Sequence, residues 1–151
     1  MALFGFFKKK ASKAAVEMAE NMKKMENRDL LQAFCGGCLL VASANDQKIS
    51  PDEVATVEKM INASPAMSHF GSEISATIGR VMQQFDAGYA YGKMQVLREI
   101  ADVKSSEEEK TEVIVGMIVM AGKEDGIDEK ELAVIDEIAR ALGVQYKQFL
   151  P

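Results

Sequence analysis

Six of the carboxylates in two short segments of this chain could act together: Asp46 and Glu53 in the first, Glu124, Asp125, Asp128 and Glu131 in the second. Oxygen donors in such a set suit hard cations, Ca²⁺, Mg²⁺ or Mn²⁺. Each segment follows an apolar helical stretch, whose C-terminal dipole and free carbonyls are already negative. Carboxylates are disfavoured there unless the next helix N-terminus or a cation compensates. If the two loops pack together, the six acids form one oxygen-rich cluster. An ordinary alternative stays open: Glu53 and Glu131 also satisfy capping boxes, and loop acids are commonly solvated. Neither loop is an EF-hand, because the D-x-[DN]-x-[DN]-G spacing is missing. The local charge leans toward a cation: Ser105 to Arg140 holds 11 acidic and 4 basic residues, a net of −7.

The acids recur at matching places. Residues 38–58 align with residues 116–136 without a gap. Each copy reads as an apolar helix, a short acidic loop, an isoleucine, a cap, and a helix with Glu at its third position. Asp46 pairs with Glu124, Ile49 with Ile127, Ser50 with Asp128 and Glu53 with Glu131. A shift of one residue inside the loop pairs Asp46 with Asp125 instead. Two copies predict a duplicated helix-loop-helix and a pseudo-twofold domain, too few units for a solenoid.

The elements that must hold these loops are helices. Apolar spacing predicts Arg28–Ala44, Ser50–Ile61, Ser72–Phe85, Gly88–Val103, a helix capped by Ser105 or Ser106, and a last long helix from Asp128 to Leu142. Ser50-Pro51-Asp52-Glu53 is a strong start signal, and Gly143 a stop signal. Ser64-Pro65 starts a short turn or helix. In Gly88–Val103 the apolar positions are Tyr91, Met94, Val96, Leu97 and Ile100; in the last helix they are Ala133, Val134, Ile135, Ile138 and Leu142. Val144–Leu150 reads as a short packing tail. The fold class is all-α, a compact bundle of about seven helices with the pseudo-twofold repeat inside it. Its 151 residues suffice for one real core. With 48% hydrophobic and 27% charged residues the composition is that of a soluble globular protein.

The N-terminus is distinctive. Phe4, Phe6 and Phe7 precede Lys8, Lys9 and Lys10, and Ala11, Ala14, Ala15, Met18, Met22 and Met25 follow at helical spacing. Residues 1–26 thus read as a Phe- and Lys-rich amphipathic segment, and residues 27–151 as the helical domain. Aromatic residues beside lysines hold a segment on an anionic membrane or a partner; the alternative is docking of the phenylalanines into the protein's own core. A secretory leader has the reverse order, basic residues before a longer apolar run. The expected location is therefore cytoplasmic, with peripheral contact at the inner face of the membrane. The net charge of −5, from 18 basic and 23 acidic residues, argues against nucleic acid.

Other chemistry is thinner. Cys35-Gly36-Gly37-Cys38 is a C-x-x-C inside an apolar helix, open to two readings: small core residues, or redox and soft-metal(loid) chemistry. It makes no zinc site alone, since four ligands are needed and the chain has one histidine, His69. Ten methionines on apolar faces read as core filler. No triad and no Gly-rich phosphate loop is present, and no enzyme is expected.

Several of these residues resemble the TerB family of bacterial tellurite-resistance proteins. The likeness rests on the Phe-rich basic start; on Val41-Ala42-Ser43 leading to the Asp46 loop; on Phe85-Asp86 with Gly92-Lys93; and on Asp125-Gly126 leading into Ile135-Asp136-Glu137-Ile138-Ala139-Arg140-Ala141-Leu142-Gly143. It covers nearly the whole chain. It implies an all-helical pseudo-symmetric fold, a non-enzymatic stress and tellurite-resistance role, and metal binding or sensing. It further implies action with other Ter proteins, a membrane-bound one among them. Asp46, Glu53, Asp125 and Glu131 are the acidic positions carried over. The chain departs from the pattern at Gln47, where a glycine is usual, and at Ala87-Gly88-Tyr89, which lacks the extra acids of some members.

Overall fold

The computed structural model describes residues 10–122 and 126–151. Seven α-helices form there: α1 Lys13–Glu20, α2 Arg28–Ala42, α3 Pro51–Ala63, α4 Ser72–Asp86, α5 Tyr89–Ala101, α6 Glu107–Gly122 and α7 Glu129–Leu142. Short 3-10 turns span Ser68–Phe70 and Lys147–Phe149. No strand forms among the described residues, so the all-α reading holds.

Local chemistry sets most boundaries. Ser50 Oγ accepts from the Glu53 amide at 3.1 Å while Glu53 Oε1 accepts from the Ser50 amide at 2.8 Å, a reciprocal box with Pro51 at the first helical position. Asp128 and Glu131 build the same box on α7, at 2.8 and 3.0 Å. Of the two serines before α6, Ser106 is the cap: its Oγ accepts from the Glu109 amide. Gly143 ends α7 at φ 76°, a left-handed position that glycine takes without a Cβ penalty.

The layering follows from how apolar each helix is around its circumference. A helix apolar on all sides belongs in the interior. In α2 every residue from Ala33 to Val41 is buried, and in α6 every residue from Val113 to Val119. These two cross at the centre, with Phe34 against Gly116. The one-sided helices pack around them: α3, α4, α5 and α7 on α2, and α1 and α7 on α6. α7 buries Val134, Ile135, Ile138, Ala139 and Leu142.

Three expectations change. Helical spacing through Met25 predicts a longer first helix, but α1 stops at Glu20, where Asn21 Nδ2 donates back to the Glu17 carbonyl. Met22 and Met25 are buried even so, from a non-helical segment in which the Met25 amide bonds the Ala66 carbonyl. Along α5 the buried stripe is Gly92, Val96 and Ile100, and Tyr91 and Met94 fall off it, 48% and 46% exposed. Ala133 likewise sits outside the buried stripe of α7.

The C-terminal tail packs as expected. Phe149 is buried and its carbonyl accepts from the Ser12 amide at 2.8 Å, tying both ends of the described chain together.

Candidate functional site

The loops after α2 and α6 are clasped together. Asn45 Nδ2 donates to Asp128 Oδ2 at 2.7 Å, and Lys130 Nζ to the Asn45 carbonyl at 3.4 Å. Asp128 therefore uses one oxygen to cap α7 and the other to hold the opposite loop. Removing both contacts in Asp128→Ala is expected to cost about 1–2 kcal/mol. Asp128→Asn keeps an N-cap oxygen and is expected to lose less, a ranking that urea denaturation of both variants checks.

The loop backbones share a feature as well. Gln47 has φ 56° and Gly126 φ 84°. In the sequence, setting Gln47 against Gly126 corresponds to the shifted pairing and leaves Lys48 as the extra residue of the first loop. A non-glycine residue such as Gln47 pays about 1–2 kcal/mol at such a position.

The remaining motif residues position this end of the molecule. Ser43, fully buried at the end of α2, donates to the Leu40 carbonyl and accepts from the Tyr89 phenol at 2.7 Å. The Tyr89 ring lies 5.3 Å from that of Phe85. Lys93 then ties α5 to α7 through Glu137 at 3.0 Å. The end of α2 and the flank of α7 are thus held by one corner, the α4–α5 turn.

Beneath the loops lies a cleft of about 280 Å³ between α2, α3, α6 and α7. Asp52, Glu53 and Glu131 supply its carboxylates. Its other notable lining is sulfur: Cys38, Met60, Met117 and Met120. Of the predicted site residues, Glu53 and Glu131 meet at this cleft. Asp46 lies in the exposed turn, its Oδ1 accepting from the Lys48 amide at 3.2 Å. Glu124 and Asp125 fall outside the described residues, as do Phe4, Phe6, Phe7, Lys8 and Lys9. Lys10 is exposed, and its Cα lies beside Gly122 at the end of α6. Among the described residues, no three His, Cys, Asp or Glu side chains come together as a metal-holding group.

Sequence reasoning did not place Asp52 or the methionines in a site, and weighed Cys38 only together with Cys35. Asp52 reads there as first-turn helix charge, and methionines on an apolar face are indistinguishable from core until the helix crossings are known.

Both thiols are free and buried. Burial pushes Cys35 up to about 12, outweighing the opposing pull of Arg80. Burial also lifts Cys38 well above its ordinary value. A nucleophilic thiolate needs the reverse environment. Both cysteines are therefore expected to react slowly with a bulky disulfide reagent in the native protein and rapidly in denaturant, which stopped-flow absorbance measures directly.

A family comparison decides the kinship. The family model described as tellurite resistance protein TerB matches residues 31–150. The chain belongs to the TerB family. The match begins within α2 at residue 31, takes in the rest of α2 and α3 to α7 with both loops, and leaves α1 outside it. No curated protein and no solved structure matches the chain. The TerB assignment ties this domain to tellurite resistance, and the corner built by Phe85, Tyr89, Gly92 and Lys93 gives the resembling residues of its α4–α5 region a structural task. No described helix of this TerB chain is long and apolar enough to cross a membrane.

Proposed function

We propose that this TerB domain serves tellurite resistance without catalysis, as a cation-responsive adaptor. A divalent cation, Ca²⁺, Mg²⁺ or Mn²⁺, is held weakly between the two acidic loops and changes the surface offered to Ter-type partners. The clasp of Asn45 on Asp128 supports this reading, because it joins the first loop to the residue that ends the second. Asp46, Glu53, Asp128 and Glu131 then share one end of the bundle, beside the C-termini of α2 and α6, where carboxylates are disfavoured.

The donor chemistry fits a hard cation, since the loops offer carboxylate oxygens. The described acids make no cage by themselves, so the reading assigns the remaining ligands to Glu124 and Asp125. A bound cation would neutralise the loop charge. Asp46, Glu53, Asp128 and Glu131 would orient the loops around it, partly through the two capping boxes. Phe4, Phe6 and Phe7 with Lys8, Lys9 and Lys10 are assigned to contact with a partner or an anionic membrane on the cytoplasmic side.

Calorimetric titration with each of the three cations tests this. Asp46→Asn combined with Asp125→Asn is expected to abolish the binding heat while circular dichroism stays native. Unchanged affinity in that variant would remove the assignment.

A second reading has an observation of its own. One oxygen each of Glu53 and Glu131 is already spent on capping. In that case the acids serve helix capping and solubility, and the domain is a metal-free interaction module. Thiol capture of tellurium oxyanions by Cys35 and Cys38 is disfavoured by the burial that keeps both protonated.

A further inference from the structure

The sulfur floor of the cleft has no part in the hard-cation reading. Cys38 Sγ lies 3.6 Å from Met120 Sδ, across the crossing of α2 and α6. Met117 lines the same cleft, its Sδ and Cε packed where a Cβ at Gly37 would stand. Met60 reaches the same cleft from α3. One thiol and three thioethers from three helices thus line one cavity, with Asp52, Glu53 and Glu131 around it.

We propose that this floor is a binding site for a soft monovalent cation, Cu(I) or its redox-inert surrogate Ag(I), held by Cys38 with the thioethers of Met120 and Met117 and completed by Met60. Thiolate and thioether donors select Cu(I), whereas the hard cations of the loops prefer oxygen. The spacing is suitable. With metal–sulfur distances of about 2.3 Å, sulfurs 3.6 Å apart subtend roughly 100° at the ion, an angle for three- or four-coordinate geometry. The surrounding carboxylates attract a cation by their charge. Glycine at position 37 gives the Met117 sulfur its room beside α2.

Binding is an exchange: the Cys38 S–H bond breaks, a sulfur–metal bond forms, and the proton leaves to solvent. The metal keeps its oxidation state. Thiolate and cation leave the floor with no net charge gained, so a buried thiol that resists ionisation alone is deprotonated by the metal. One proton is released per ion, so affinity rises about tenfold per pH unit while the free thiol is protonated. Its sulfur ligands are distinct from the carboxylates of the loop site, and loss of Ca²⁺ or Mg²⁺ binding in the Asp46/Asp125 variant leaves it standing.

The test is an anaerobic titration of the full chain against Cu(I) bound to a chromogenic chelator, repeated with Ag(I). One equivalent of Cu(I) should leave the chelator, with an ultraviolet sulfur-to-metal band. Met120→Leu, which conserves volume, should weaken binding at least tenfold with native circular dichroism. Cys38→Ser should abolish it, and Cys35→Ala, outside the cleft, should leave it unchanged. If Cys38→Ser does not fold, the Met117→Leu/Met120→Leu double variant decides. Failure to draw Cu(I) from the chelator overturns the proposal. So does loss of binding in Cys35→Ala with Met120→Leu unaffected, since that marks a dithiol pair independent of the cleft.

Discussion

Truncating Ile127 to alanine is expected to destabilise the protein by about 3 kcal/mol, within the usual range for a large aliphatic side chain in a core. Ile127 sits between the second acidic loop and the cap of α7, and it is fully buried. Its Cδ1 approaches the end of α6 near Gly122. Removing three carbons there opens a cavity beneath the loop and frees its anchor. Its counterpart Ile49 is only partly buried, so Ile49→Ala should cost clearly less. For a chain of this size the Ile127 effect corresponds to a fall in melting temperature of roughly 6–12 °C. Denaturant midpoints at constant m-value check it. Equal losses in the two variants would show that the second loop is no more firmly seated than the first.

The second large effect is expected at Gly92. A Cβ there would stand 2.8 Å from the Phe85 Cα and 2.9 Å from its Cγ. The Phe85 backbone cannot step aside as a side-chain tip does, so α4 and α5 must separate. Glycine in a helix interior ordinarily costs about 1 kcal/mol relative to alanine, so Gly92→Ala starts with a propensity gain. Overpacking outweighs it, and a net loss of about 2 kcal/mol is expected. Gly79 in α4 is the internal control, with nothing within 4 Å of an added Cβ. Gly79→Ala should stabilise by up to ~1 kcal/mol. Thermal melts of the pair separate close packing from helix propensity. Because Tyr89 of the same corner holds Ser43, Gly92→Ala should also loosen the end of α2.

Much of this architecture is legible in the sequence because its signals are local. The boxes at Ser50/Glu53 and Asp128/Glu131 need only four residues each, and the helix stop at Gly143 needs one. The acids of the two loops are visible for the same reason. What escapes is whatever depends on how helices cross. Met60, Met117 and Met120 follow the apolar periodicity of their own helices, and nothing in that pattern says that the space between them stays open. Tyr91 and Met94 mislead in the opposite sense, apolar residues that fall off the stripe that packs. The end of α1 is hidden because Met22 and Met25 continue the helical spacing but reach the core from a non-helical segment. The left-handed backbone at Gln47 carries no sequence signal of its own; only comparison with Gly126 exposes it.

The central claim is that the clasped loops take a divalent cation, and the melting temperature tests it most directly. The full chain is heated in EDTA and in Ca²⁺, Mg²⁺ or Mn²⁺, beside the Asp46→Asn/Asp125→Asn variant. A cation at about 100 times its Kd adds roughly 2.7 kcal/mol to stability. The predicted result is a rise of several degrees with at least one of the three, absent in the double variant. A flat response to all three at millimolar concentration would contradict the claim and leave a metal-free interaction module.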